Sequence, residues 1–460
     1  MAASGLQGQS PPGSWTDHLN YTTAVNVTLA GTRVYVSTGS SLLMYDTGYG
    51  EAKQLSTVTG LTSTGISAIA WSDDNATLVV VYNSLDIDLI TNNKIYNIPD
   101  IRERFPSGGI KIFRARTSGH YAYLATNSGI VVIDLQKREI RDTWNPLTPG
   151  QGNEIFDIAF PGNEVYAATA KGIFYAGINQ SGLSWPGSWE LVRFIPEPEG
   201  CFAGILFSGS TLFGVRKGAS EADPDILFSV SEEENYNILS TSFRFRYLDS
   251  SGDGFILSSA ASVKFFDNSG SAVGEIKDYG WGLPDISQAV AKGDEIWIAD
   301  HKHGFVRGKD MAEFSIITVN GPASNHVAAI SSDHGITVVC SGGTDQSFNG
   351  LGIPFSVSVH SGSLFRNFVS ETVTDAMKAV IMPGNGFHFF VSSWGGGLIE
   401  FRDNTPVNHY NGTNSPLSAA YGTPGEINIS GMAVDKNGNL WMVHPGRVIT
   451  LRSLSPTNPG

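Results

Sequence analysis

The sequence predicts an all-β fold: a β-propeller, with one complete propeller plus part of a second. Three observations predict it. A unit of about 40–50 residues recurs along the chain. Each unit carries strand-length apolar or aromatic runs, such as Leu78–Tyr82, between turns that contain Gly or Asn. No convincing amphipathic helix separates the runs, which removes a parallel α/β fold. Composition agrees. Glycine fills 53 of 460 positions, against a usual share of roughly 7%. Hydrophobic residues at 41% and aromatics at 11% exclude disorder, and only 16% charged residues exclude a coiled coil.

Taken in order, unit one is Gly31–Thr38 with Leu42–Asp46, and unit two is Ala76–Tyr82 with Ile87–Ile90. Unit three is Gly119–Thr126 with Gly129–Asp134, and unit four is Gly162–Thr169 with Gly172–Tyr175. Units five and six, Gly209–Phe213 and Gly252–Leu257, are weaker. Unit seven is Gly293–Asp300 with Gly304–Val306, and unit eight is His334–Val339. Unit nine is Gly384–Val391 with Gly395–Phe401, and unit ten is Asn437–Val443 with Arg447–Thr450. Successive units begin 41 to 53 residues apart, room for about four short strands. One such sheet has exposed faces and edges; a radial arrangement packs the faces and leaves short edges.

Ten units exceed the usual ring of about four to eight blades, so two rings are expected. Residues 15–318 are read as the first propeller, with about seven blades. Asn320–Asn325 reads as a linker, and residues 326–460 as the initial blades of a second, incomplete propeller. Residues 1–14 are read as a signal-peptide remnant or a flexible terminus.

The formal net charge is −14. An acidic chain lacks the basic footprint of a general nucleic-acid binder, so any anion must meet a local patch. The two cysteines, Cys201 and Cys340, are too few for a disulfide framework or a four-ligand zinc site; one bridge or two free thiols both remain open. No run reaches the roughly 18 apolar residues of a membrane span.

Two sets of motifs resemble known families. Ser393–Asp403, His409–Leu417 and Ile427–Met442, with Asp435-Lys-Asn-Gly-Asn-Leu-Trp441, resemble the two-component regulator propeller repeat of Bacteroidetes. The order Trp15–Tyr21, Val34–Thr38, Leu55–Leu61, Val80–Leu89, Asn97–Ile101, Tyr123–Thr126 and Gly129–Leu135 resembles the N-terminal propeller of the PorZ family of the type IX secretion system. The second resemblance is best over residues 15–180. It implies a non-enzymatic accessory component, exported to the periplasm or the outer-membrane cell surface. The implied partners are the secretion sortase, attachment-complex proteins and anionic lipopolysaccharide or another glycan. Family members carry a C-terminal β-sandwich after two propellers, which this chain does not display. The alternative is the carbohydrate-sensing ectodomain of a hybrid two-component regulator.

Catalytic, cofactor and metal motifs are not found: there is no G-x-S-x-G, H-E-x-x-H, P-loop or G-x-G-x-x-G. A polysaccharide-degrading enzyme would need a catalytic pair, and none stands out. Asp300-His-Lys-His303 reads as a hairpin turn before Gly304, with a metal cluster as the competing reading. Asp249–Gly254 has the oxygen spacing of a calcium loop, but Ala260 stands where the bidentate carboxylate belongs. Asp435–Asn439 reads as a hairpin, for which Asn-Gly signals a type I′ turn. Trp297 and Trp441 are expected in the core between blades, and Trp394 beside Gly395–Gly397 on a more open loop. The candidate anion- or glycan-binding set is Arg102, Arg104, Lys111, Arg114 and Arg116, five cations within 15 residues. Arginine forks suit phosphate and carboxylate, and alternation puts Arg114 and Arg116 on one strand face. Ordinary ion pairing on a solvated face is the competing reading.

Overall fold

The structure is a computed structural model, and it describes residues 13, 15–99, 109–148, 150, 152–220, 222–231, 236–252, 254–419, 425–445 and 449–454. It is all-β. Among the described residues the one helical segment is the 3-10 turn Pro186–Ser188, and no helix is long and apolar enough to cross a membrane.

The chain divides into two compact units. One runs from Tyr21 to Thr318. It contains seven four-stranded antiparallel sheets in chain order, at 26–55, 66–98, 112–144, 155–191, 202–243, 245–276 and 286–317. Each sheet is a simple meander whose first strand is innermost. Inner strands of consecutive sheets pack on one another, and the seventh, Ile286–Lys292, packs on the first, Asn26–Ala30. These are the seven blades of a closed propeller.

The recurring glycine of the sequence units has a local cause. In blades one, three, five and seven, the inner strand turns into the second strand through a two-residue hairpin: Gly31-Thr32, Gly119-His120, Gly209-Ser210 and Gly293-Asp294. The first residue of each has a positive φ of 56–67° and the second does not, the type II′ pattern that favours glycine. Blade two puts Ala76 at φ 44° in the corresponding hairpin.

The core is laminar. One apolar cluster fills the gap between blades two and three, around Val79, Val81, Ala122 and Leu124. Similar layers lie between blades one and two, three and four, four and five, five and six, and six and seven. A strand such as Thr77–Tyr82 is therefore buried along its whole length, which explains its unbroken apolar sequence. The ring closes without exchanging a strand. The Ala24 amide donates to the Asp300 carbonyl at 3.0 Å, matching Ile66 to Gly39 at 2.7 Å and Ile286 to Ala260 at 2.9 Å between ordinary neighbours. The Gln288 amide adds a false strand pair, donating to the Val27 carbonyl at 2.7 Å and accepting from its N–H at 3.3 Å. Trp297, almost wholly buried, lies 5.5 Å from the Tyr45 ring across this seam.

The other unit comprises residues up to Asn20 together with Val319–Gly460. The first ring thus begins at Tyr21 rather than at residue 15. The reason is contact: His18 packs against His360 and Phe365, and the Asn20 amide donates to Asn325 at 2.8 Å. This unit holds sheets at 327–374, 376–410 and 431–454, with Ile427–Asn428 added to the middle one. Apolar layers join the first sheet to the second and the second to the third, the blade arrangement again. Trp441 departs from expectation. Leu440 and Met442 face the layer, so alternation turns Trp441 outward, 38% exposed. The Asn437-Gly438 hairpin forms, but only Gly438 has a positive φ. The loop is longer than a type I′ turn allows, and Asp435 closes it by accepting the Asn437 and Asn439 amides.

Candidate functional site

The inner strands surround the axis of the first ring. Those of blades two to seven each carry a register shift after their first residue. Such a bulge bends the strand and re-aims the next side chain. The side chains just past it are Ala68, Arg114, Asp157, Gly204, Tyr247 and Gln288. Charges of both signs, Arg114 and Asp157, thus occupy equivalent positions in neighbouring inner strands.

Arg116, from blade three, spans the channel. Its Nε and Nη2 donate to the two oxygens of Asp157 in blade four, each at 3.0 Å. Its Nη1 reaches Asp249 in blade six at 3.1 Å, and Nη2 also reaches the Leu248 carbonyl at 2.8 Å. Blades three and six are not neighbours, so this is a strut across the ring. Asp157 is fully buried and also accepts the Ile158 and Ile205 amides at 2.9 and 3.3 Å. Burial raises the Asp249 carboxyl above its usual range, an effect that Arg116 and then Arg114 oppose. Arg114 sits beside this network without joining its hydrogen bonds. Its guanidinium carbon lies 3.8 Å from the Tyr247 ring centre, a cation–π contact, and its Nε is 3.7 Å from Asp157.

The predicted basic set therefore separates. Arg114 and Arg116 do share one strand face, but that face is the channel, and carboxylates from two other blades meet Arg116 there. Lys111 is exposed and lies 5.1 Å from the Phe113 ring; Phe113 in turn packs edge-on against Phe156 of blade four. Arg102 and Arg104 lie outside the described residues. The sequence reading missed Asp157 and Tyr247 altogether and took Asp249 for part of a loop. The available signal was a carboxylate inside an apolar strand, as in Ile155-Phe-Asp-Ile-Ala159.

Residues 301–303 of the Asp300–His303 candidate form a turn. Asp300 accepts the Lys302 and His303 amides at 2.8 Å, the Tyr279 hydroxyl at 2.9 Å and the Asp285 amide at 2.9 Å. Four donors occupy its oxygens, and among the described residues no group of three or more His, Cys, Asp or Glu is placed to hold a metal ion. Residue 253 of the 249–254 loop lies outside the described residues. Trp394 is half-buried, its strand paired with Asn428. Both cysteines are free, and burial raises their thiols, that of Cys340 to about 12.

Compared with known proteins, residues 34–190 match the family described as TSS9, PorZ, N-terminal beta-propeller domain. None of the curated proteins matches the chain. Among solved structures, PorZ of Porphyromonas gingivalis, described as an essential bacterial surface component of the type-IX secretion system, aligns at TM-score 0.81 with 22% identity. The alignment covers 96% of this chain and 60% of that one, so the chain spans about three fifths of the length of this relative. The extracellular domain of a hybrid two-component system from B. thetaiotaomicron aligns at TM-score 0.49 with 11% identity, over 95% of this chain and 58% of that one. The chain is therefore a β-propeller protein whose fold is similar to that of PorZ and whose residues 34–190 match the PorZ N-terminal propeller domain.

Proposed function

We propose that the chain works as a non-enzymatic surface scaffold of a type IX secretion system. The observation that carries this reading is the match of residues 34–190 to the PorZ N-terminal propeller domain. A rigid ring of seven blades suits presentation: turns at its two ends hold partners while neighbouring proteins do the chemistry. The partners proposed are the secretion sortase, attachment-complex proteins and anionic lipopolysaccharide, and the location proposed is the periplasm or the outer-membrane cell surface.

A net charge of −14 works against diffuse attraction of an anionic glycan. The glycan contact is therefore assigned to Lys111 with Arg102 and Arg104. Arg116 is excluded from it because its donors are already engaged across the channel. The test is affinity capture of the tagged full-length protein from its own cells, paired with gene deletion. The expected results are co-capture of the sortase and secreted cargo that keeps its C-terminal signal in the deletion strain. Normal cargo processing and attachment in that strain would overturn the reading.

A further inference from the structure

We propose that the mouth of the first ring's channel binds one small oxyanion, a single carboxylate or phosphate group, on the Arg114 guanidinium. The inference stands on donor accounting and does not depend on the secretion reading.

Arg114 is more than nine-tenths buried, yet its Nε has no hydrogen-bond partner among the described residues. The nearest carboxylate cannot serve it. Each oxygen of Asp157 already takes one N–H from Arg116 and one from the backbone, and Arg114 stays at 3.7 Å, beyond hydrogen-bond distance. An unmatched buried cationic donor is costly, so the site favours a ligand that supplies acceptors. The Arg114 guanidinium carbon lies 3.8 Å from the Tyr247 ring centre, a contact that helps to hold the group in place, and a guanidinium suits a carboxylate or phosphate.

Arg114 lines a cavity of about 160 Å³. Asn26, Arg114, Arg246, Tyr247, Ser287 and Gln288 supply its polar lining, and no carboxylate contributes to it. Arg246 adds a second cation, whose partner Asp285 at 3.2 Å is not part of the lining. The volume equals that of about five water molecules. That is room enough for one carboxylate or phosphate group. The group could be a free ion or the charged tip of a longer ligand whose body remains outside.

The test uses the full-length chain and measures affinity for inorganic phosphate and acetate against chloride at matched ionic strength. Saturable phosphate or acetate binding is expected, weakened by about tenfold or more in Arg114→Gln. If that variant does not fold, Ser287→Asp on the half-exposed cavity wall should abolish binding by placing a like charge beside the anion. Selenate soaked into crystals should give an anomalous peak within hydrogen-bond distance of Arg114 Nε. A hexose 1-phosphate binding as tightly as phosphate would identify the tip of a longer ligand, and much weaker binding a free ion. No saturable binding by phosphate or acetate, binding unchanged in both variants, or a selenate peak elsewhere would each overturn the proposal.

Discussion

Replacing Arg116 with methionine tests whether the channel strut holds the ring. Arg116→Met keeps much of the side-chain length but removes four hydrogen bonds, three of them to carboxylates. Asp157 is then a fully buried carboxylate without its strong partner, although its two backbone donors remain. Breaking a buried ion pair from one side costs about 3–5 kcal/mol. In a domain of this size, about 2 °C of melting temperature is lost per kcal/mol, so the shift is ~6–10 °C. Acidity supplies an independent check through Asp249. Its carboxyl is already raised in the folded protein, and Arg116 is the largest influence holding it down. Removing Arg116 raises it further. A group raised on folding contributes stability in full below its unfolded value and loses it as pH rises through the folded value. The deficit of the variant should therefore be smaller near about pH 5 than near about pH 8, measured by urea unfolding at each pH. A cost below about 1 kcal/mol, of the size of a surface pair, or a deficit that grows on acidification, would refute the reasoning.

Three further outcomes follow from the same structure. Gln288→Leu keeps the bulk at the ring seam but leaves the Val27 N–H and carbonyl unmatched; a loss of about 1–3 kcal/mol and faster hydrogen exchange at Val27 are expected. Ala76→Gly relieves a left-handed alanine at φ 44° and should stabilise by up to about 1 kcal/mol, whereas Gly31→Ala, at φ 67° with open space around its Cβ, should cost about as much; chemical denaturation of both variants reads the sign. In the second unit, burial works to raise Glu400, but hydrogen bonds from Asn408, Tyr410, Arg402 and His388 outweigh it and hold the carboxyl below its usual range. A carboxyl lowered on folding stabilises above its unfolded value, near 4.5, and loses that contribution as pH falls. Glu400→Gln should therefore cost about 2 kcal/mol at neutral pH and progressively less below about pH 4.5.

The blades were legible because each repeats a local necessity. A hairpin between inner and second strands needs a residue that tolerates positive φ, so Gly31, Gly119, Gly209 and Gly293 mark four of them in the sequence. A second strand covered on both faces needs a wholly apolar run, as in Thr77–Tyr82. Both requirements are met within one blade. Trp441 was misjudged because its burial depends on what covers the sheet, whereas its placement opposite Leu440 and Met442 follows from alternation alone.

The channel was illegible for the opposite reason. The acceptors of Arg116 stand 41 and 133 residues away along the chain, and only ring closure brings them together. A strand reading Phe113-Arg-Ala-Arg116 then has the pattern of a basic surface. Even correct face assignment does not separate the two arginines, which share residue type, strand and side. Geometry separates them. Arg116 lies 3.0 Å from Asp157 and consumes its acceptors, while Arg114 is left at 3.7 Å with a donor over. The same carboxylate that makes Arg116 structural thus leaves Arg114 available to bind. Replacing Asp157 with asparagine should shift both roles at once, loosening the strut and changing the anion affinity of the channel mouth.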